Sequence, residues 1–231
     1  MSVPLEKLCQ IVKTCKACSL HKGRKNAVFD CGKSISPLMI VGEAPGEEED
    51  RTGLAFTGKA GKHMKRLLRA ARVPDDSYYC THVIKCRPEK DRFPDGKEAT
   101  TCRNFLDDQV KLIKPKAVIV CGKEALKYLL LWKTHEEPEP FHPWINRMFR
   151  RRDLYGEIIF LVCYHPGYLM KAKIEEDEEA WVQAVAQLWT YCEHKRAGTP
   201  PAPVSFEEIR SAPKVPRMGR NLFGKDRGRI L

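Results

Sequence analysis

Two sets of cysteines stand at spacings that can serve a metal. Cys15 and Cys18 form a C-x-x-C pair in TCKACSLHKGR, Cys86 closes the segment YYCTHVIKC, and Cys102 follows 16 residues later. Two such local sets can converge on one centre, and by spacing alone four thiolates suit either a structural zinc ion or an iron-sulfur cluster. His82, four residues before Cys86, would point the same way along a strand. Cys102 completes a four-thiolate set without it. A second kind of chemistry gathers elsewhere. The stretch VGEAPGEEEDRTGLAFTGKAG, residues 41–61, crowds carboxylates at Glu43, Glu47, Glu48, Glu49 and Asp50 among glycines that allow close backbone approach to a ligand. In YHPGYLMK, His165 follows directly on an apolar run. A carboxylate and a histidine so placed can do acid–base or charge-stabilising work. The glycines are not a dinucleotide fingerprint, because GEAPG lacks the G-x-G-x-x-G spacing, and the Walker A lysine is missing.

Elements must bring these residues together. Four short, β-branched apolar runs, at 37–42, 78–86, 116–122 and 158–166, read as strands, and their near-continuous apolarity suits a buried parallel sheet. Helical periodicity lies between them. Met64, Leu67, Leu68 and Ala71 share one face of a segment whose other face is basic, and Phe105, Leu106, Val110 and Ile113 repeat the pattern. A closing helix over about 176–195 begins acidic and ends basic, as the helix dipole prefers. The alternation predicts a three-layer α/β/α domain on a central four-stranded, mainly parallel sheet, with ligands bound beyond the carboxyl ends of its strands. Residues 132–157, with three prolines, read as a long functional connection.

The chain has 231 residues, 42% of them hydrophobic, and 41 Lys or Arg against 30 Asp or Glu. That length predicts one domain, residues 1–195, followed by a basic tail from 196 to 231. Residues 195–231 carry nine Lys or Arg against three Asp or Glu, so six of the eleven net positive charges lie there. Such a surface attracts phosphate backbones. No run approaches the roughly 18 apolar residues of a spanning helix, and no secretory leader is evident, so a cytoplasmic protein is expected. In that compartment ten cysteines are not a disulfide framework. Cys9, Cys31, Cys80, Cys121, Cys163 and Cys192 mostly sit in apolar runs and read as small core residues.

Together, GEAPGEEED..G..F.GKAG, KCRPEKDRFP, the C-x-x-C with Cys86 and Cys102, and HPGYL resemble the family 4, iron-sulfur uracil-DNA glycosylases over roughly residues 10–190. The resemblance implies the uracil-DNA glycosylase fold, a monomer acting on DNA, and a 4Fe-4S cluster on Cys15, Cys18, Cys86 and Cys102. It implies that Glu43 orders the attacking water and His165 hydrogen-bonds the base O2. Base contacts fall to Ala44, Glu49 and Phe56, with Phe56 stacking on the extruded base and Glu49 beside its C5 edge. Leu169 becomes the wedge that fills the vacated stack, with Tyr168 and Lys171 on the DNA.

One residue departs from that pattern. The family position before the V-(V/I)-K-C-R-P run is usually Asn, whose amide offers uracil an adjacent donor and acceptor; here it is His82. A neutral imidazole places its donor and its acceptor on opposite sides of the ring, so the reading of the base edge must change. Two activities are therefore expected: excision of uracil through a tolerant pocket, or excision of another pyrimidine, such as a hydroxymethylated or glucosylated base of phage DNA, in host defence. A DNA-binding protein of the same fold without catalysis is the third reading.

Overall fold

The computed structural model describes residues 4–131, 140–153, 156–197 and 207–208. An amino-terminal helix, α1 (Leu5–Thr14), leads through a single 3₁₀ turn to β1 (Cys31–Gly32) and β2 (Leu38–Gly42). Then come α2 (Glu47–Thr52), α3 (Lys59–Ala70), β3 (Tyr78–His82), α4 (Gly96–Ile113), β4 (Ala117–Cys121) and α5 (Lys123–Leu126). The chain closes with β5 (Met148–Asp153), β6 (Gly156–Cys163), α6 (Pro166–Ala172), α7 (Glu175–Ala197) and β7 (Glu207–Glu208).

The four expected strands form the centre, all parallel, in the order β3-β2-β4-β6. Period-two alternation sorts their apolar residues between two layers. Leu38, Ile40, Ile119 and Leu161 face Met64, Leu67, Trp181, Val185 and Leu188 of α3 and α7. Met39, Val41, Val118, Val120 and Phe160 face Leu106 and Val110 of α4 and Leu126 of α5. Both faces are covered, which is why the strands read as unbroken apolar runs.

Three strands were not foreseen. β1 adds antiparallel to β3, β5 antiparallel to β6, and β7 parallel to β5, making seven strands in all. The two-residue strands carry no periodicity to read, and β5, Met-Phe-Arg-Arg-Arg-Asp, hides its alternation in arginine. Part of the 132–157 connection is thus sheet, while 132–139 lie outside the described residues, as does the expected tail apart from the end of α7 and β7. The second strand stops at His82 rather than Cys86. Beyond it the chain still follows its neighbour, with the Val83 and Ile84 amides donating to the carbonyls of Gly42 and Glu43 at 2.9 Å each. Among the described residues no helix is long and apolar enough to cross a membrane.

Candidate functional site

The acidic run after β2 is not a bare loop. Residues 47–52 form α2, and its first turn holds Glu47, Glu48, Glu49 and Asp50, where the helix dipole favours negative charge. Asp50 is buried and accepts from the Lys25 and Asn26 amides. Glu49 accepts from the Gly46 amide through one oxygen and from the Gly58 amide through the other, each at 3.1 Å. Both carboxylates therefore brace backbone. The side chain expected beside the base is here a clasp across the mouth of the 46–58 loop.

Glu43, the residue after β2, is different. Burial first, and the nearby Glu124 second, push its carboxyl up to about 8. Ala44 beside it is half-buried against the α4 layer. His165 caps α6 and accepts the Gly167 amide at Nδ1, 3.1 Å away. Burial, and next the charge of Lys171, lower its pKa to about 4, so the ring is neutral and its proton sits on Nε2, free to be donated. A Cβ on Gly122, just after β4, would stand 3.2 Å from the His165 Cβ, which locates the ring against that strand end.

His82 closes the group. It is 3% exposed, and neither ring nitrogen has a hydrogen-bond partner among the described residues. Burial, then Lys85 and His165, hold its pKa well below the ordinary histidine value, so it is neutral. Its ring stacks on Phe56 with centroids 4.6 Å apart. A Cβ on Gly42 would come within 2.6 Å of His82 Nδ1 and 2.8 Å of Phe56 Cζ, so only glycine lets both rings lie over the strand end. Phe56 is itself held with φ 54, and a Cβ on Gly61 would strike its carbonyl oxygen at 2.0 Å. The aromatic expected to stack on a base is 2% exposed and stacked on His82 instead.

α6 corrects one expectation. Four residues after an inward-facing helix cap, Leu169 must face inward too, and it is 0% exposed within the core. In this structure it is packed in the core, and to act as the wedge it would have to vacate its cavity. Truncating it to Ala is expected to destabilise the protein by about 2–5 kcal/mol in urea unfolding, with DNA affinity retained. Lost DNA affinity at unchanged stability would return Leu169 to the duplex. Tyr168 is half-exposed, its ring 4.7 Å from that of Tyr164, and Lys171 is exposed.

The cysteines meet in a separate pocket. Cys15, Cys18, Cys86 and Cys102 line it together with Val12, Arg24, Lys85 and Phe105, and all four are free thiols. Donors already point at the sulfurs: Arg24 Nη1 lies 2.8 Å from Cys86 Sγ, and the Lys85 amide 3.2 Å from Cys102 Sγ. Arg24 also donates to the carbonyls of Lys13 and Cys15, fastening the end of α1 to the strand exit. α4 carries Cys102 and is firmly started, with Asp95 and Glu98 capping each other's amides. Among the described residues no three His, Cys, Asp or Glu side chains gather as ligands of a single ion. His82 is not among the residues lining this pocket, so the two members of the H-x-x-x-C spacing serve different places. Cys80, Cys121, Cys163 and Cys192 are buried, as read.

Sequence reasoning missed Glu124, Arg24, Lys85 and Gln109. Glu124 was accessible to the rule that ligands meet strand ends, since it lies three residues beyond β4. The other three act through contacts between segments far apart in sequence.

A sheet covered on both faces, with a carboxyl group and a neutral histidine at the carboxyl ends of its parallel strands, is the layout of an α/β enzyme domain working at that edge. The family model described as the uracil DNA glycosylase superfamily matches residues 29–189. The type-4 uracil-DNA glycosylase of Thermotoga maritima is 33% identical over 176 residues, 74% of this chain and 86% of that one. That of Sulfurisphaera tokodaii is 36% identical over 164 residues, 71% of this chain and 74% of its own. The chain belongs to the uracil DNA glycosylase superfamily, and within it to the type-4 uracil-DNA glycosylases.

Proposed function

We propose that this protein is a DNA glycosylase that hydrolyses the N-glycosidic bond of a pyrimidine flipped out of DNA, leaving an abasic site. The observation that carries the reading is the placement of Glu43 directly after β2 and of His165 shortly after β6, at the carboxyl ends of one parallel sheet, with His165 Nδ1 accepting from the Gly167 amide so that its proton is on Nε2. As the bond from the sugar to the base N1 breaks, positive charge grows on the sugar and negative charge on the base. His165 donates its Nε2 proton as a hydrogen bond to the base O2 and is not itself consumed. Ionised Glu43 takes a proton from water as the hydroxyl adds to the sugar C1′, and its charge stabilises the cationic sugar. The departing pyrimidine anion then takes up a proton. The exposed Lys171 and the half-exposed Tyr168 face DNA.

A second reading concerns which pyrimidine. His82 is buried, neutral and, among the described residues, without a hydrogen-bond partner on either nitrogen, a cost that a base with matching groups removes. Its unprotonated nitrogen accepts from an exocyclic amine, which cytosine and its 5-modified forms offer and uracil does not. For a base to reach Phe56, His82 must yield the face it covers. Mass spectrometry of bases released from DNAs bearing uracil, 5-hydroxymethyluracil, and hydroxymethylated or glucosylated cytosine tests both readings. Free uracil supports a repair enzyme, and release of a modified base alone supports retargeting. No release from any DNA, with binding intact, would overturn the catalytic reading.

The four-cysteine pocket fits the 4Fe-4S cluster that the resemblance implies. Cys15, Cys18, Cys86 and Cys102 line one cavity, and N–H groups directed at two of the sulfurs are contacts that stabilise ligating thiolates. When bound, the cluster supplies a cross-link between the α1 arm, the β3 exit and α4. The purified protein is expected to be brown and to contain iron and sulfide. A colourless protein with one zinc per chain would overturn this assignment.

A further inference from the structure

Lys85 has no part in the chemistry above, yet it lies between the two sites. It is 1% exposed, and its ammonium donates to the Thr81 hydroxyl at 2.7 Å, the Gln109 side-chain carbonyl at 2.6 Å and the His82 backbone carbonyl at 2.5 Å. All three ammonium hydrogens are thereby used. The acceptors are held in turn. The Thr81 hydroxyl donates to the Phe29 carbonyl, and the Gln109 amide donates to Phe29 O and to the Tyr79 hydroxyl, which donates to Asp30. On its other side Lys85 lines the four-cysteine pocket, and its own amide donates to Cys102 Sγ.

A buried cation is costly unless opposite charge and acceptors surround it. Its three acceptors are uncharged, so compensating negative charge is left to Asp30, through Tyr79, and to the sulfurs of the pocket, which become thiolates when they ligate a cluster. With the pocket occupied, one ammonium is thus attracted from one side by the ligating thiolates and fixes, on the other, the carbonyl of the residue that closes the base site.

We infer that Lys85 is a positioning residue: it transmits the occupancy of the four-cysteine pocket to His82 and to the Val83–Ile84 backbone that runs against Gly42 and Glu43. The inference rests on the glycosylase reading only for its catalytic consequence. Its structural half stands without it.

The test uses the full chain with its cluster as purified, comparing wild type, Lys85→Met and Gln109→Leu. In Lys85→Met, hydrogen exchange of the Val83 and Ile84 amides is expected to rise at least about tenfold. The cluster's reduction potential should move to more negative values, because a nearby positive charge that favoured the added electron is gone. On a DNA the wild type cleaves, kcat should fall about tenfold with KM little changed, the pattern of an interaction that serves the transition state rather than binding. Gln109→Leu keeps the charge and removes one acceptor, so exchange should rise while the potential stays. A potential that moves without exchange, exchange that moves without the potential, or neither moving in Lys85→Met overturns the link. Should Lys85→Met fail to fold, unchanged exchange in Gln109→Leu overturns it instead. Both physical readouts remain valid if no base is ever released, which separates this failure from that of the glycosylase reading.

Discussion

Replacing Glu43 by Gln is expected to slow base release by about 10² to 10⁴-fold, the range for removing a positioned general base, with DNA affinity within a fewfold of wild type. Gln keeps the shape and loses the charge that accepts the water proton and stabilises the sugar cation. Single-turnover release measured beside gel-shift affinity checks both halves. Activity within tenfold of wild type would remove Glu43 from the reaction. A pH profile refines the point. Glu43 works ionised, and its pKa stands at about 8, so kcat/KM should climb about tenfold per pH unit below that value and level off above it. His165, lowered to about 4, and His82, lowered well below its ordinary value, stay neutral throughout this climb. Glu124→Gln removes the second cause of the Glu43 shift and leaves burial, the larger one. The rising limb should therefore move to lower pH without reaching the ordinary carboxylate range.

The central sheet was legible because parallel strands buried on both faces leave unbroken apolar runs, and the helices between them announce themselves by periodicity. The lost strands are short, or arginine-rich at the sheet's margin, where burial no longer dictates residue type. At the site, Glu43 and His165 were legible because each directly follows an expected strand, whereas His82, expected inside a strand running on to Cys86, came to the base pocket only through the family resemblance. Sequence logic failed where a side chain's use depends on a neighbour. Glu49 looks like a ligand carboxylate until Gly46 and Gly58 are seen to donate to it. Leu169 looks like a wedge until the turn of α6 carries it inward. Phe56 looks like an open stacking platform until His82 is found on it. Each of these depends on the distance between segments that a linear reading keeps apart.

His82→Asn is expected to change base preference more than any other single substitution. The present imidazole stands over Gly42 and covers Phe56, and no hydrogen bond from the described residues holds it there. Asparagine is shorter, so it uncovers the aromatic face, and its amide offers a donor and an acceptor side by side, matching uracil O4 and N3–H. A pocket that gains or loses such a matched pair discriminates strongly, because the wrong base leaves buried polar groups unpaired. The ratio of uracil release to release of cytosine-type bases should rise about 100-fold or more, measured as kcat/KM on otherwise identical oligonucleotides. The cluster pocket is lined without His82, so colour and iron content should not change. If wild type and variant release uracil equally well, the base edge is read elsewhere, and the partnerless ring of His82 is packing over Gly42 and Phe56. If uracil release appears only in the variant, then one residue at the end of β3 sets which pyrimidine this fold removes from DNA, while Glu43 and His165 supply the same bond-breaking chemistry to either base.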